Sequence, residues 1–435
     1  MGFRIPAKGM LAGVFAGAAL LLAAAVGWHV LRHPAPGARL EMQARRFVTL
    51  AMSLGRIRPR EIDAYFGPPE LEPRGPAPTL AAVRDDLARL RADLAGDPAS
   101  TRRDHLRARV DHLIMLVDVI RTPHLLDFDE EARRLYGVAI PAVDTRAQQK
   151  VRAALEALLP GPGSLAARVE AFRNRFLVPE SRQRALFMRA LAECRARTLA
   201  HWQMPKNERL DIEWTGDTPW HRYRGGGRSL LLLGGDAVAE PGTALDVACH
   251  EAYPGHHAQF TMMPAGAGRQ GVVVEDTVVI LRSPEQVMRE GAANYGVDLA
   301  FPPWDRLVFM RDVLFPLAGF DPRDAETYVQ VHRLLGELSP SAVPILRDYY
   351  DRSRLNADAA AIALARDALI SSPEALLHFT DALGAYVTGY TVARDLVRKC
   401  VETRSRATDV DRWAVLRQVV ADTDVSVLDP ATCLR

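Results

Sequence analysis

The sequence predicts a mainly α-helical protein with a small β-sheet next to one central helix. Three observations carry that expectation. Aromatic residues make up only 7% of the chain, and Ala, Leu and Arg dominate many stretches, which favours helices over a sandwich or barrel. Apolar residues recur at helical spacing, first as Leu80, Val83, Leu87, Leu90 and Leu94, then as Leu106, Val110, Leu113, Val117 and Ile120. The run Leu230, Leu231, Leu232, Leu233, bounded by Gly234 and Gly235, is short enough for a strand and sits just before the helix of greatest interest.

The elements follow in chain order. Between Lys8 and Arg32 lie 23 residues without a formal charge, including Met10 to Val26. At about 1.5 Å per residue such a run crosses a hydrocarbon core of roughly 30 Å, so a single membrane anchor is expected, with the rest outside the bacterial inner membrane. Export with cleavage near Ala23, Ala24 and Ala25 is the alternative. A tether from His33 to Gly37 and a short helical segment ending in Ile57, Arg58, Pro59 come next, followed by a Pro-rich connection from Gly67 to Pro78. After the two striped helices, Ser164 to Phe176 and Pro179 to about Gln203 also read as helices, the second with Pro179 in its first turn. Asp211 to Leu233 breaks the pattern with Trp214, Trp220, Tyr223 and three glycines at 225 to 227, which lack the lysine and helix of a phosphate loop and read as a flexible turn. Helices return from Thr243, with capped starts at Ser283-Pro284-Glu285-Gln286 and Ser372-Pro373-Glu374, and further stretches near 323–338 and 358–370. The expected division is 1–38 for anchor and tether, 39–205 for an N-terminal helical region and 206–435 for the catalytic region.

Composition excludes some functions. Lys plus Arg number 55 against 53 Asp plus Glu, so no global field draws the chain to a polyanion and nucleic acid is not an expected partner. Of the four cysteines, Cys249 reads as a small core residue, whereas Cys400 and Cys433 can staple the tail in an oxidising compartment.

The chemistry concentrates in His250-Glu251-Ala252-Tyr253-Pro254-Gly255-His256-His257. A catalytic zinc takes about three protein ligands, commonly imidazole or carboxylate, and keeps a position for water. Glu251 follows His250 by about 100° around the helix, so one side chain can hold a metal while the other faces its water. Pro254 stands where the usual second histidine falls, and it breaks the helix while Gly255 permits an unusual backbone angle. That break is needed. On a straight helix, residues seven apart lie about 10.5 Å apart along the axis, too far to share an ion. Spacing alone does not choose between His256 and His257. Asp246 reads as a helix cap rather than a partner of His250.

These residues resemble the bacterial domain-of-unknown-function 885 family, whose signature is a His-Glu pair followed by Pro-Gly-His, and which is similar to the zincin metallopeptidases. The resemblance implies a zincin-like helical catalytic region, Zn²⁺ as cofactor, His250 and His256 as ligands and Glu251 as general base. A second element, Glu290-Gly291 with Tyr295, implies Glu290 as third ligand. A late Tyr-x-x-Gly element, Tyr386 to Gly389, implies Tyr386 as a donor to a developing oxyanion. The stretch Asp63-Ala64-Tyr65-Phe66-Gly67-Pro68 resembles the family's N-terminal part. Departures are Val297, where members often carry a second acid, and Ala292, where a Trp is common. Tyr390, one turn beyond Tyr386, reads as core.

The expected activity is zinc-dependent hydrolysis of a peptide or other amide, with an extended substrate added to an open edge of the leucine strand. The rivals are a membrane-tethered scaffold with a vestigial metal site and a hydrolase of non-peptide amides or esters.

Overall fold

The computed structural model describes residues 36–215, 220–263, 272–351 and 354–433. The fold is mainly helical with a small sheet, and among the described residues its main hydrophobic core gathers side chains from Ala44 to Cys433.

Three long helices packed on one another lead the described residues: α1 (Pro36–Ile57), α2 (Leu80–Ala95) and α3 (Thr101–Arg121). α2 begins where the Thr79 hydroxyl accepts from the Ala82 amide, and α3 where Ser100 accepts from Arg103, each satisfying a donor that a helix start leaves open. Leu87, Leu90 and Leu94 face Leu106, Val110, Leu113 and Val117 across the α2–α3 contact, all fully buried. Each such side chain contributes roughly 1.5–3 kcal/mol through removal from water, so these stripes hold the layer together. The expected tether is shorter than its sequence suggests, because Pro36 and Gly37 already belong to the first turn of α1, where a proline forgoes no hydrogen bond.

Among the described residues no helix is long and apolar enough to cross a membrane. α1, at 22 residues, has the length but carries Arg39, Glu41, Arg45, Arg46 and Arg56. The run from Met10 to Val26 lies outside the described residues.

β1 (Ile62–Tyr65) follows α1 and pairs antiparallel with β5 (Val278–Ile280), which ties the first layer to the second half of the chain. α4 (Glu180–Leu199) leads to a three-stranded sheet of β2 (Arg209–Trp214), β3 (Trp220–Tyr223) and β4 (Arg228–Leu233), in the order β2-β4-β3. The leucine strand is therefore central. It pairs parallel with β2 from Arg209↔Arg228 to Trp214↔Leu233 and antiparallel with β3, so it has no open edge, contrary to expectation. The physical reason is in its composition: Leu230, Leu231 and Leu233 are all buried, as suits a strand covered on both faces. Gly225, Gly226 and Gly227 all have positive φ and form the tight β3–β4 turn.

Candidate metal centre

The helix that carries the motif, α5 (Pro241–Glu251), starts two residues earlier than Thr243. Glu240 is its N-cap, and its backbone amide donates to the Thr243 hydroxyl at 3.1 Å in a reciprocal capping box. Asp246 is not a cap. It pairs instead with Arg306 at 2.6 Å. α5 packs on α4, and the Cys194–Cys249 disulfide joins the two helices one residue before His250. Cys249 is thus a covalent anchor and not only a small core residue, while Cys400 and Cys433 form the second bridge.

The helix ends at Glu251, and Ala252 turns the chain out with φ −117° and ψ −79°. The Tyr253–Pro254 peptide is cis. Gly255 then comes so close to the end of α5 that a Cβ there would lie 1.6 Å from the His250 carbonyl oxygen, so no larger residue fits. Its amide donates to the Cys249 carbonyl at 3.0 Å, and α6 (His256–Met262) sets off from there, folded back against α5. The break thus brings His256 beside His250, with ring centroids 4.7 Å apart.

The carboxylate comes from α7 (Pro284–Ala300), capped by Ser283, whose hydroxyl accepts from the Gln286 amide. Glu290 is 5% exposed at the middle of this buried helix. Its Oε2 lies 3.3 Å from His250 Nε2 and 3.6 Å from His256 Nε2, and the three ligand atoms lie within 4.8 Å of one another. Ligands held about 2.0–2.1 Å from a tetrahedral zinc are separated by roughly 3.3 Å, so the two contacts to the carboxylate have the right span. Glu290 Oε2 and His256 Nδ1 are buried without a hydrogen-bond partner. His250 Nδ1 lies 3.1 Å from Asn294 Oδ1, and an imidazole N–H donating there leaves Nε2 with its lone pair toward the centre. The residues present fit a divalent cation, and the two-imidazole, one-carboxylate donor set suits zinc.

Electrostatics at the centre follow from these contacts. Burial acts to raise the Glu290 carboxyl, but the His256 and His250 imidazoles outweigh it and hold the group well below the usual carboxylate range. Burial disfavours a charged His250, yet the Glu290 carboxylate beside it and the Glu251 charge lift it to about 9. The carboxylate thus recruits a positive charge when only a proton is on offer. Tyr386 is 1% exposed, and its hydroxyl donates to Glu290 Oε1 at 3.3 Å, with burial and then that carboxylate pushing it well up. Glu251 is half-buried at the end of α5, and its charge acts on His250, Asp63 and Tyr390. Tyr390 is 45% exposed and so lies at the mouth of the site, not in the core.

His257 points the other way. It is fully buried, with Nδ1 2.7 Å from Ser229 Oγ and Nε2 3.1 Å from Glu208 Oε1. Ser229 Oγ lies 2.9 Å from His221 Nε2, and Glu208 pairs with Arg195 at 3.2 Å. Burial and then the neighbouring imidazoles keep His221 neutral. With both of its nitrogens engaged, His257 has none for an ion, which leaves His256 as the histidine of the α6 start that faces His250.

Sequence reasoning passed over several residues here. Asn294 lies one turn after Glu290 on the same helix, a signal open to a reader of helical faces. Asp63 on β1 accepts from Gln286 Nε2 at 2.9 Å, and burial, partly offset by His256, pushes its carboxyl up to about 6. Ala292 and Val297 are buried in the core, and Asn294 supplies the polar contact to His250.

No family model and no curated protein matches the chain. Two solved structures match in fold. One is described as "the putative lipoprotein from Colwellia psychrerythraea", with a TM-score of 0.50 and 14% identity over 80% of this chain and 68% of that one. The other is described as "a putative lipoprotein of unknown function from Shewanella oneidensis", with a TM-score of 0.45 and 12% identity over 80% of this chain and 70% of that one. Neither description names a metallopeptidase, so the expectation of a transmembrane metallopeptidase is corrected: the chain is similar in fold to a structure described as a lipoprotein.

Proposed function

We propose that the protein is a zinc-dependent hydrolase of amide bonds. One observation carries the reading: His250, His256 and Glu290 converge within 4.8 Å, from two helix ends and a third helix, with the Glu251 carboxylate on the next residue. The arrangement is similar to that of zincins, in which one helix supplies a histidine and its neighbouring glutamate, and it supports the resemblance to the domain-of-unknown-function 885 family.

His250, His256 and Glu290 would hold the ion. When bound, zinc lowers the pKa of water toward about 7 and polarises a carbonyl. Glu251 takes the proton of the attacking water and returns it to the leaving amine, a role open to a half-buried carboxylate whose charge reaches His250. Tyr386 keeps its proton, since burial and Glu290 both disfavour its anion, and a neutral phenol can donate to a developing oxyanion once it leaves Glu290. Asn294 holds His250 in one tautomer.

An exported or membrane-associated location belongs to the same reading. All four cysteines are in disulfides, which persist in oxidising compartments, and the solved structures of similar fold are described as lipoproteins.

The test is hydrolysis of a peptide library by the zinc-loaded protein against Glu251→Gln. The variant is expected to keep its zinc and lose kcat/KM by about 10²–10⁴-fold, the usual worth of a general base. Equal turnover in both proteins, or none in the wild type, would overturn the proposal.

A further inference from the structure

The substrate has a place to lie. Among the described residues β1 pairs only with β5, and β3 only with β4, and the two strands line a shared cleft of about 510 Å³ with their unpaired edges. Each strand also reaches the candidate metal centre. His221 on β3 has its ring 5.9 Å from that of His256, and Asp63 on β1 is within electrostatic reach of His256, Glu290 and Glu251. Phe66 and Tyr223 meet edge-on at 5.3 Å and brace the strands against each other.

The cleft has a sign. Alternation along β3 buries His221 and Tyr223 and places Trp220, Arg222 and Arg224 on the other face. Arg60 lines the opposite wall, just before β1. Arg60, Arg222 and Arg224 are exposed, and none forms an ion pair among the described residues. Asp63 is the one acid among the lining residues, at the end toward the metal centre, and it is already engaged by Gln286. The buried Trp220 Nε1–H also lacks a partner among the described residues.

We propose that this cleft receives the substrate and selects extended peptides bearing acidic side chains. The inference rests on the hydrolase reading but is separable from it. Main-chain groups of the peptide would meet the open edges, and its carboxylates the three guanidinium groups.

Three labelled ten-residue peptides of one sequence, carrying Glu, Gln or Lys at the variable positions, test it by turnover and by fluorescence anisotropy on the full, zinc-loaded chain. The Glu peptide is expected to exceed the Lys peptide about tenfold in kcat/KM and in affinity, with the gap shrinking at high salt. Arg222→Glu with Arg224→Glu is expected to reverse the order, thermal melting showing that the variant folds. Cleavage of all three peptides at one rate would overturn the acidic selection and leave the hydrolase reading intact. Tighter binding of the Glu peptide with no cleavage would support the cleft while removing that reading. Equal affinity for all three would overturn the inference whatever the turnover.

Discussion

His256 and His257 are sequence neighbours at the start of one helix, and the protein treats them oppositely. His257 uses both ring nitrogens: His221 Nε2, Ser229 Oγ, His257 Nδ1 and Nε2, and Glu208 Oε1 fall in one chain of contacts from 2.7 to 3.1 Å. Donors and acceptors alternate along that chain if His221 donates to Ser229, Ser229 to His257, and His257 to Glu208. Around His256 the accounting fails to close. Glu290 Oε2 is shared between two imidazoles at 3.3 and 3.6 Å and has no hydrogen bond of its own. Residue type therefore does not separate a candidate ligand from a structural histidine at this position; the unsatisfied polar atoms do.

The sharpest way to break this contrast is to delete each ring in turn. His256→Ala is expected to lower zinc affinity by more than a hundredfold and to leave folding nearly intact, because it removes a group with an unmet valence. His257→Ala is expected to keep the zinc and cost about 3 kcal/mol of stability, since Glu208 and Ser229 would be left buried without their partner. Elemental analysis and chemical denaturation of the two variants read both effects. Reversed results would place the metal on the wrong histidine.

How much of this was legible in the sequence depends on range. The stripes of α2 and α3 predicted most of their buried faces, with Leu80 and Ile120 at the ends only half-buried and Leu116 and Val119 buried beyond the stripe, because helical periodicity is a local property. Pro254 and Gly255 predicted the break, and the structure adds why the second of them must be glycine: the chain doubles back onto the His250 carbonyl. What stayed hidden is set by contacts between distant segments. Four cysteines allow three pairings, and nothing local marks Cys194 as the partner of Cys249. Glu208 and Ser229 reach His257 across 49 and 28 residues, so the spacing argument had no means of ruling His257 out. The leucine strand looked like an edge because strand order cannot be read from one strand's composition, although its unbroken apolar run already suited a centre.

Asn294 sharpens the comparison from the side of the metal. Its Oδ1 holds the ring of His250 as Ser229 and Glu208 hold the ring of His257, but it engages one nitrogen and leaves the other. Asn294→Ala is expected to weaken zinc binding by about 10–100-fold, the usual worth of a contact that orients a ligating imidazole. Competition with a fluorescent chelator measures it, and unchanged affinity would show that packing alone orients the ring. Asn294→Asp is expected to retain the contact and most of the affinity.

The smallest effect is a pH dependence confined to the metal-free protein. His250 is lifted from an ordinary 6.5 to about 9, so its contribution to stability is complete below pH 6.5 and is lost as pH rises through 9. Glu290 is held below its ordinary 4.5, so its contribution is present above that pH and is lost as pH falls through the depressed value. The ion-free centre therefore stabilises the fold most between about pH 4.5 and 6.5. Melting of the chelator-treated protein is expected to show a loss on the order of 2 kcal/mol between pH 6.5 and about 9.5, discounted for the partly exposed rim. Zinc should abolish that slope, because a divalent ion then supplies the positive charge that the His250 proton supplied. His257→Ala should leave the slope in place, whereas His250→Ala should remove it. A slope that survives loss of His250 would mean that the alkaline instability arises elsewhere and that the proton does not substitute for the ion.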